Sequence, residues 1–161
     1  MNKKISKQLP IIGWREWLVL PDLNIHKIKA KVDTGARTSA LHAFWVEGYK
    51  KNHQSWVKFT IHPIQHNTNI VIECDAPVKD RRMVTDSGGH KQYRYVIETM
   101  IQLGTHTFTS ELTLTNRDTM VFRMLLGRSA ITDRFLVDSQ NSFYMGRLKN
   151  KPIVAEQDLC K

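Results

Sequence analysis

Apolar and polar residues alternate along most of this chain in short runs. In SWVKFTIHP, Val57, Phe59 and Ile61 fall on one side and Trp56, Lys58 and Thr60 on the other. That is the period of two expected of a strand with one buried face. WREWLVL and KIKAKVD read as two earlier strands, and PDLNIH between them has the composition of a hairpin connection. TSALHAF follows, and NIVIECDAPV is a strand ended by Pro77. QYRYVIETMIQLG and HTFTSELTLTN form a hairpin that turns near Gly104-Thr105. FRMLLG is a short apolar strand, RSAITDRF has helical composition, and FLVD and SFYMG close the chain as strands. Regularly spaced short strands with turn signals predict an all-β barrel or sandwich with one short helix. Residues 1–10 read as a flexible basic arm and 149–161 as a loose tail, which leaves one domain over 11–148.

Composition narrows the class. A chain of 161 residues with 41% hydrophobic content suits one packed domain, or one subunit of a symmetric assembly. The formal net charge of +9 favours acidic partners such as nucleic acid, a ribosomal surface or an acidic peptide, or else marks a generally basic surface. Arg15 and Glu16 interrupt the apolar part of the N-terminal region, and no small-residue cleavage site follows, so neither a signal peptide nor a membrane span is predicted. The two cysteines, Cys74 and Cys160, make no disulfide framework, and a reducing cytoplasm fits them.

Much familiar chemistry is missing from the sequence. It has no glycine-rich phosphate loop ending in Lys-Ser/Thr and no His-Glu-x-x-His. The histidines at 26, 42, 53, 62, 66, 90 and 106 are not at zinc-ligand spacing, and Pro63 keeps His62 and His66 off a shared helical face. No metal and no nucleotide cofactor is therefore expected. Nucleic-acid binding lacks support beyond charge, because no basic stripe is interleaved with aromatics along the chain.

The strand KIKAKV ends on Asp33 and breaks at once into Thr34-Gly35. Alone, that tripeptide is a sufficient turn, since an aspartate bonds the backbone N–H two residues on. It also suits a water-activating site. Two carboxyl groups that share one proton can deprotonate a water and polarise a carbonyl, because two close carboxylates do not both ionise. Such a site needs an aspartate on a rigid loop, a small hydroxyl residue beside it, and a floor kept open by Gly35 and Ala36. Two further stretches bear on this. RRMVTDSGGHKQYRYV sets a Gly-Gly tip between two strand-like arms, as in a mobile hairpin flap or an ordinary surface hairpin. RMLLGRSAI is an apolar strand, a glycine and a helix start.

In that order the three features resemble the retroviral-type aspartic proteases. They resemble more closely a bacterial family of retropepsin-like proteins labelled ATP-dependent zinc proteases. Its signatures KAKVDTGARTSALHA, DRR..TDSGG, ELTLTNR and MLLGR stand at 29–43, 80–89, 111–117 and 124–128, and the likeness covers 11–146. The resemblance implies a retropepsin-like closed β-barrel with a short C-terminal helix. It implies a catalytic Asp33, with Thr34 tying two active loops together through its hydroxyl and Gly35 leaving room for substrate backbone. It places Ala36, Arg37, Asp86, Ser87, Gly88, Gly89, His90 and Arg128 against substrate, and residues 84–90 would close over an extended peptide. The residues support neither the ATP nor the zinc of the label. The chain departs from the retroviral pattern in a longer stretch between loop and flap, and in Arg37-Thr38-Ser39 where acidic residues are usual.

Asp86-Ser87-Gly88 offers a second Asp-Ser-Gly, and with it a dyad within one chain. Its polar, charged flanks argue instead for a C2 homodimer in which each chain donates one Asp33. Arg37, Arg81, Arg82, Lys91, Arg94 and Arg128 lie in or beside the loop, flap and helix start, so an acidic peptide is the natural substrate if they face the cleft; otherwise they are structural or solvated. The family's association with a ligase system that adds glutamates to a small-subunit ribosomal protein implies an acidic tail as candidate substrate. The expectation is a cytoplasmic, homodimeric aspartic peptidase. The rival is a non-catalytic barrel that binds a ribosomal protein or RNA.

Overall fold

The computed structural model describes residues 8–85, 88–116 and 121–146. Its strands are β1 (Ile11–Ile12), β2 (Arg15–Leu20), β3 (Ile25–Val32), β4 (Ser39–His42), β5 (Trp45–Lys51), β6 (Gln54–Ile61), β7 (Ile72–Pro77), β8 (Asp80–Thr85), β9 (Lys91–Leu103), β10 (His106–Thr115), β11 (Met124–Leu126) and β12 (Leu136–Val137). One short helix, α1 (Arg128–Ile131), precedes β12.

Six strands close a barrel in the order β10-β4-β11-β3-β2-β9, sealed where β9 pairs with β10. The alternation seen in the sequence decides what goes inside. Leu18 and Leu20 from β2 and Ile28, Ala30 and Val32 from β3 point to a core shared with Ile97, Ile101, Leu112, Met124 and Leu126. Burying each large aliphatic side chain contributes about 1.5–3 kcal/mol. The β2–β3 connection tightens into a 3-10 turn over Pro21–Leu23, ended by Asn24 at φ 56. Asparagine tolerates this left-handed conformation through local hydrogen bonding.

Two smaller sheets flank the barrel. Strands β5, β6 and β7 make an antiparallel sheet in which Val57, Phe59 and Ile61 are buried, as their alternation predicts. Strands β1 and β12 pair in parallel, with Ile11 opposite Leu136. Strand β8 pairs only with the first half of β9, from Asp80 opposite Val96 to Thr85 opposite Lys91, and so stands out from the barrel as a hairpin arm.

Three elements differ from the sequence reading. Strand β5 was not expected; most of it is exposed, so it lacks the alternation that marks a half-buried strand. The helix occupies only the first four residues of RSAITDRF. SFYMG is no strand but a turn with Phe143 at φ 60. What holds that turn is Glu16, whose carboxylate is fully buried and accepts the backbone N–H groups of Gly13, Tyr144 and Met145, each at 2.9 Å. The expected loose tail and most of the expected basic arm lie outside the described residues.

Candidate active site

Strand β11 lies between β3, which it pairs in parallel, and β4, which it pairs antiparallel. The segment 33–38 that joins β3 to β4 must therefore arch over the end of β11, where α1 begins. Asp33 donates its N–H to the Leu126 carbonyl at 2.9 Å, which seats the loop on β11. The loop then turns tightly: Ala36 N–H reaches the Asp33 carbonyl at 3.2 Å, and Gly35 N–H reaches Asp33 Oδ1 at 3.0 Å. A side chain at Gly35 would put Cβ 3.2 Å from that oxygen, so glycine lets the carboxylate lie close over the turn. Asp33 is half-buried, and Thr34 and Gly35 are exposed.

The start of α1 props the loop from below. Gly127 N–H donates to Ser39 Oγ, Arg128 N–H to the Ala36 carbonyl and Ser129 N–H to the Arg37 carbonyl, each at 2.9 Å. Donors that a helix start leaves unpaired are thus satisfied by the loop it supports. Arg128 adds its Nη1, 3.0 Å from the Thr34 carbonyl. Its guanidinium braces the Asp-Thr-Gly backbone.

A cleft of about 860 Å³ opens between the hairpin arm and the outer face of the barrel. Ala36, Arg37 and Thr38 form its loop end, and Met83, Val84 and Thr85 form its roof. Ala40, Thr113 and Leu125 lie along the barrel wall. Asp33 is not among the lining residues; it sits three residues before Ala36, where the cleft ends. At the far end of the arms Gly88, Gly89 and His90 are exposed, and Gly89 has φ +81 with nothing within 4 Å of a Cβ. Asp86 and Ser87 lie outside the described residues, and with them the single-chain dyad.

The six basic residues expected around the cleft divide sharply. Arg82 is bound to carboxylates: Nη1 and Nη2 reach Glu111 at 2.7 and 3.3 Å, and Nε reaches Asp80 at 2.7 Å. Hydrogen bonds from Arg82 hold the carboxyls of Asp80 and Glu111 below their usual range, and those bonds raise the pKa of the guanidinium in turn. Arg81 is exposed and lies 5.0 Å from the Tyr95 ring. Arg128 is the prop already described, and Lys91 is exposed near the hairpin tip. Arg37 and Arg94 line the cleft with Arg82, the first exposed and the second buried opposite Arg82 in the β8–β9 ladder.

The sequence reading named Ser39 only as part of the departure from the retroviral pattern and Gly127 only as the glycine between strand and helix, gave neither a place in the site, and did not name Thr113 by itself. Ser39 is fully buried, its carbonyl accepting from Thr113 Oγ1 at 3.3 Å. A Cβ at Gly127 would lie 2.6 Å from the Thr38 carbonyl carbon, so only glycine fits there. The signal for Gly127 was its place between an apolar strand and a helix; for Ser39 and Thr113 no local signal exists. Among the described residues no group of three or more His, Cys, Asp or Glu side chains converges to hold a metal ion. His62 is half-buried and stacks on Phe44 at 4.2 Å.

A closed barrel, an Asp-Thr-Gly loop straddling a third strand and a hairpin arm over the adjoining cleft define a retropepsin-like fold. The chain belongs to the RimB-like family, described as "Retropepsin-like aspartic endopeptidase RimB", which it matches over residues 11–147. It is 48% identical over 137 residues to a "Probable alpha-L-glutamate ligase" of Shewanella halifaxensis, covering 85% of this chain and 30% of that protein. A protein of the same description from Desulfotalea psychrophila is 39% identical over 153 residues, covering 95% and 32%. The chain thus spans about a third of the length of these curated relatives. A crystal structure of a protein of unknown function from Legionella pneumophila superposes with a TM-score of 0.71 at 28% identity, covering 86% of this chain and 99% of that one. None of these descriptions carries the ATP-dependent zinc protease label. No helix among the described residues is long and apolar enough to cross a membrane.

Proposed function

We propose that the chain is a cytoplasmic aspartic-type peptidase that works as a C2 homodimer on acidic, glutamate-tailed proteins, hydrolysing peptide or isopeptide bonds. The observation that carries the reading is the Asp33 loop, with its carboxylate fixed by Gly35 N–H and its backbone seated on β11 and α1. A single carboxyl does not make a proton-sharing pair. Asp33 stands at the end of the cleft rather than within it, and a second copy across a two-fold axis supplies the twin. The small β1–β12 sheet offers surface for such a contact, since Ile11 and Leu136 are 45% and 54% exposed side by side.

In the dyad, charge repulsion keeps one carboxyl protonated. The ionised carboxylate takes a proton from water, whose oxygen attacks the carbonyl carbon. The protonated partner transfers its proton to the carbonyl oxygen, giving a tetrahedral diol. Collapse of the diol breaks the C–N bond, and a carboxyl proton passes to the departing amine. Strand β8 and the first half of β9 roof an extended peptide, which binds as an added strand. Two observations support glutamate-rich substrates: Arg37 and Arg94 line the cleft, and relatives named as glutamate ligases contain a region like this chain.

The test is incubation with a glutamate-tailed peptide and a neutral one of equal length, comparing wild type with Asp33→Asn. Wild type should cleave the acidic peptide better, and the advantage should shrink as salt screens the charges. Asp33→Asn should stay folded and release no product. Full activity in that variant would end the aspartic reading, and equal cleavage of both peptides at low salt would end the acidic preference. Tight binding without product from wild type would make the barrel a binding module.

A further inference from the structure

The outer face of the β2–β3 hairpin carries a cluster that the linear sequence hides. Pairing sets Arg15 opposite Lys31 and Trp17 opposite Lys29, while the intervening Glu16, Leu18, Ile28 and Ala30 are buried. Arg15, Lys27, Lys29 and Lys31 therefore share one outward face. Arg15 and Lys31, like charges directly opposite each other, disfavour that pair, and a bound anion would relieve it. The Lys29 ammonium is pushed below its ordinary range chiefly by partial burial, then by the positive charges of Arg15 and Lys27.

Aromatic rings are set among these cations. Lys27 and Lys29 lie 4.4 and 5.4 Å from the Trp17 ring, and Arg15 lies 4.6 Å from Trp14 and 5.0 Å from Phe143. Trp17 stacks on Phe143, and Trp14 meets Phe122 edge-on. All four rings are half-buried, which holds them rigid while leaving part of each open to solvent. The rings come from segments far apart in the chain, which is why no interleaved stripe shows in the sequence. The face adjoins the cleft, because Lys31 pairs with Leu125 of the cleft wall.

We infer that this face binds single-stranded nucleic acid. Phosphates lie on Arg15, Lys27, Lys29 and Lys31, and bases stack on the exposed parts of the Trp14 and Trp17 rings. Alternate residues of a strand are about 7 Å apart, close to the repeat of phosphates along an extended single strand, so Lys27, Lys29 and Lys31 match successive phosphates. An acidic peptide would need the cations alone; cations interleaved with aromatic platforms are the pattern that single strands use. The inference is independent of the peptidase reading.

It is tested with full-length Asp33→Asn protein, so that catalysis plays no part, and a labelled 12-nucleotide oligouridylate. Binding should quench tryptophan fluorescence and weaken with salt, with a log–log slope of about −3 for four phosphates at about −0.7 each. Lys27→Glu with Lys29→Glu should lose at least about tenfold in affinity. Trp17→Ala should lose about tenfold, the order expected for one base stack. Lys79→Glu with Lys91→Glu, equal in charge change but away from this face, should bind within about twofold of the parent. Circular dichroism confirms that each variant is folded. Equal losses in the two charge-reversal pairs would overturn the inference, as would absence of binding at 50 mM salt. Displacement by a polyglutamate peptide, with Trp17→Ala binding unchanged, would assign the face to acidic protein instead.

Discussion

Gly127 is the position where a single methyl group should disable the site without touching it. An ideal Cβ there would lie 2.6 Å from the Thr38 carbonyl carbon, 2.8 Å from its oxygen and 2.9 Å from Ser39 N. All three are backbone atoms, so no side chain can rotate out of the way. Ordinary contact starts at 3.4 Å, and the gap must open by 3.4 minus 2.6, or 0.8 Å. That opening pulls directly on the three 2.9 Å bonds that tie Gly127, Arg128 and Ser129 to residues 36–39. Overpacking of this kind costs about 1–3 kcal/mol, which for a chain of this size lowers Tm by about 2–12 °C. A shift of about 1 Å in catalytic geometry costs about 100-fold in rate. Gly127→Ala should therefore cleave the glutamate-tailed peptide about 100-fold more slowly, well below its melting temperature. Gly146→Ala is the matched control: at φ +91 it strains the backbone by about 1–2 kcal/mol, yet its Cβ meets nothing within 4 Å. It should lose stability but keep turnover within about twofold. Equal turnover in the two variants would show that the helix start does not position the loop.

Other expectations follow from groups outside the loop. Glu16→Leu leaves the buried Gly13 N–H and the partly buried N–H groups of Tyr144 and Met145 without their acceptor, at about 1–3 kcal/mol for the first and less for each of the other two. Urea denaturation should show a loss of about 3–6 kcal/mol, with Glu16→Gln losing less, and a loss within experimental error would remove Glu16 as the clasp. Asp138 is held at a pKa of about 2 by hydrogen bonds from Asn141 first, then the Tyr144 hydroxyl and Gln140 N–H. Because its folded value is depressed, its contribution is complete above the unfolded value of 3.8 and fades as pH falls through about 2. The stability gap between wild type and Asp138→Asn should close over that window, and a gap independent of pH would contradict it. Burial, aided by the charge of Asp75, pushes the Cys74 thiol up to about 12. In a Cys160→Ser background it should resist alkylation at pH 8 until the protein unfolds, and stoichiometric labelling of native protein would refute this.

What could be read from the sequence was what local chemistry dictates. The alternation in β6 placed its buried face correctly, because a half-buried strand must repeat every two residues, and the β9–β10 hairpin turns where Gly104-Thr105 signalled it. Asp33-Thr34-Gly35 was visible as a strand end followed by a turn. Long-range partners were not visible. SFYMG has strand composition, but it makes no ladder: Phe143 N–H alone reaches a strand, at the Arg15 carbonyl, while Tyr144 and Met145 donate to a carboxylate more than a hundred residues away. Sequence left Arg82 open between a cleft charge and a structural one, and it proves to be bound by Asp80 and Glu111. The cation–aromatic face was likewise illegible, because its rings meet only after the chain has folded.

Strand β9 runs unbroken for 13 residues, and Val96 marks the point where it passes from hairpin to barrel, pairing with Asp80 on one side and Thr113 on the other. Arm and barrel thus share one pleat, and the length of the arm is quantised. Two residues added to each arm at its base would extend it by about 7 Å and return every side chain to its own face. One residue added to each would turn the distal arm over, bringing Met83 and Tyr93 to the face now held by Arg82 and Arg94. Natural or engineered variation in the reach of this arm should therefore come in steps of about 7 Å, with intermediate lengths exchanging the chemistry of its two sides.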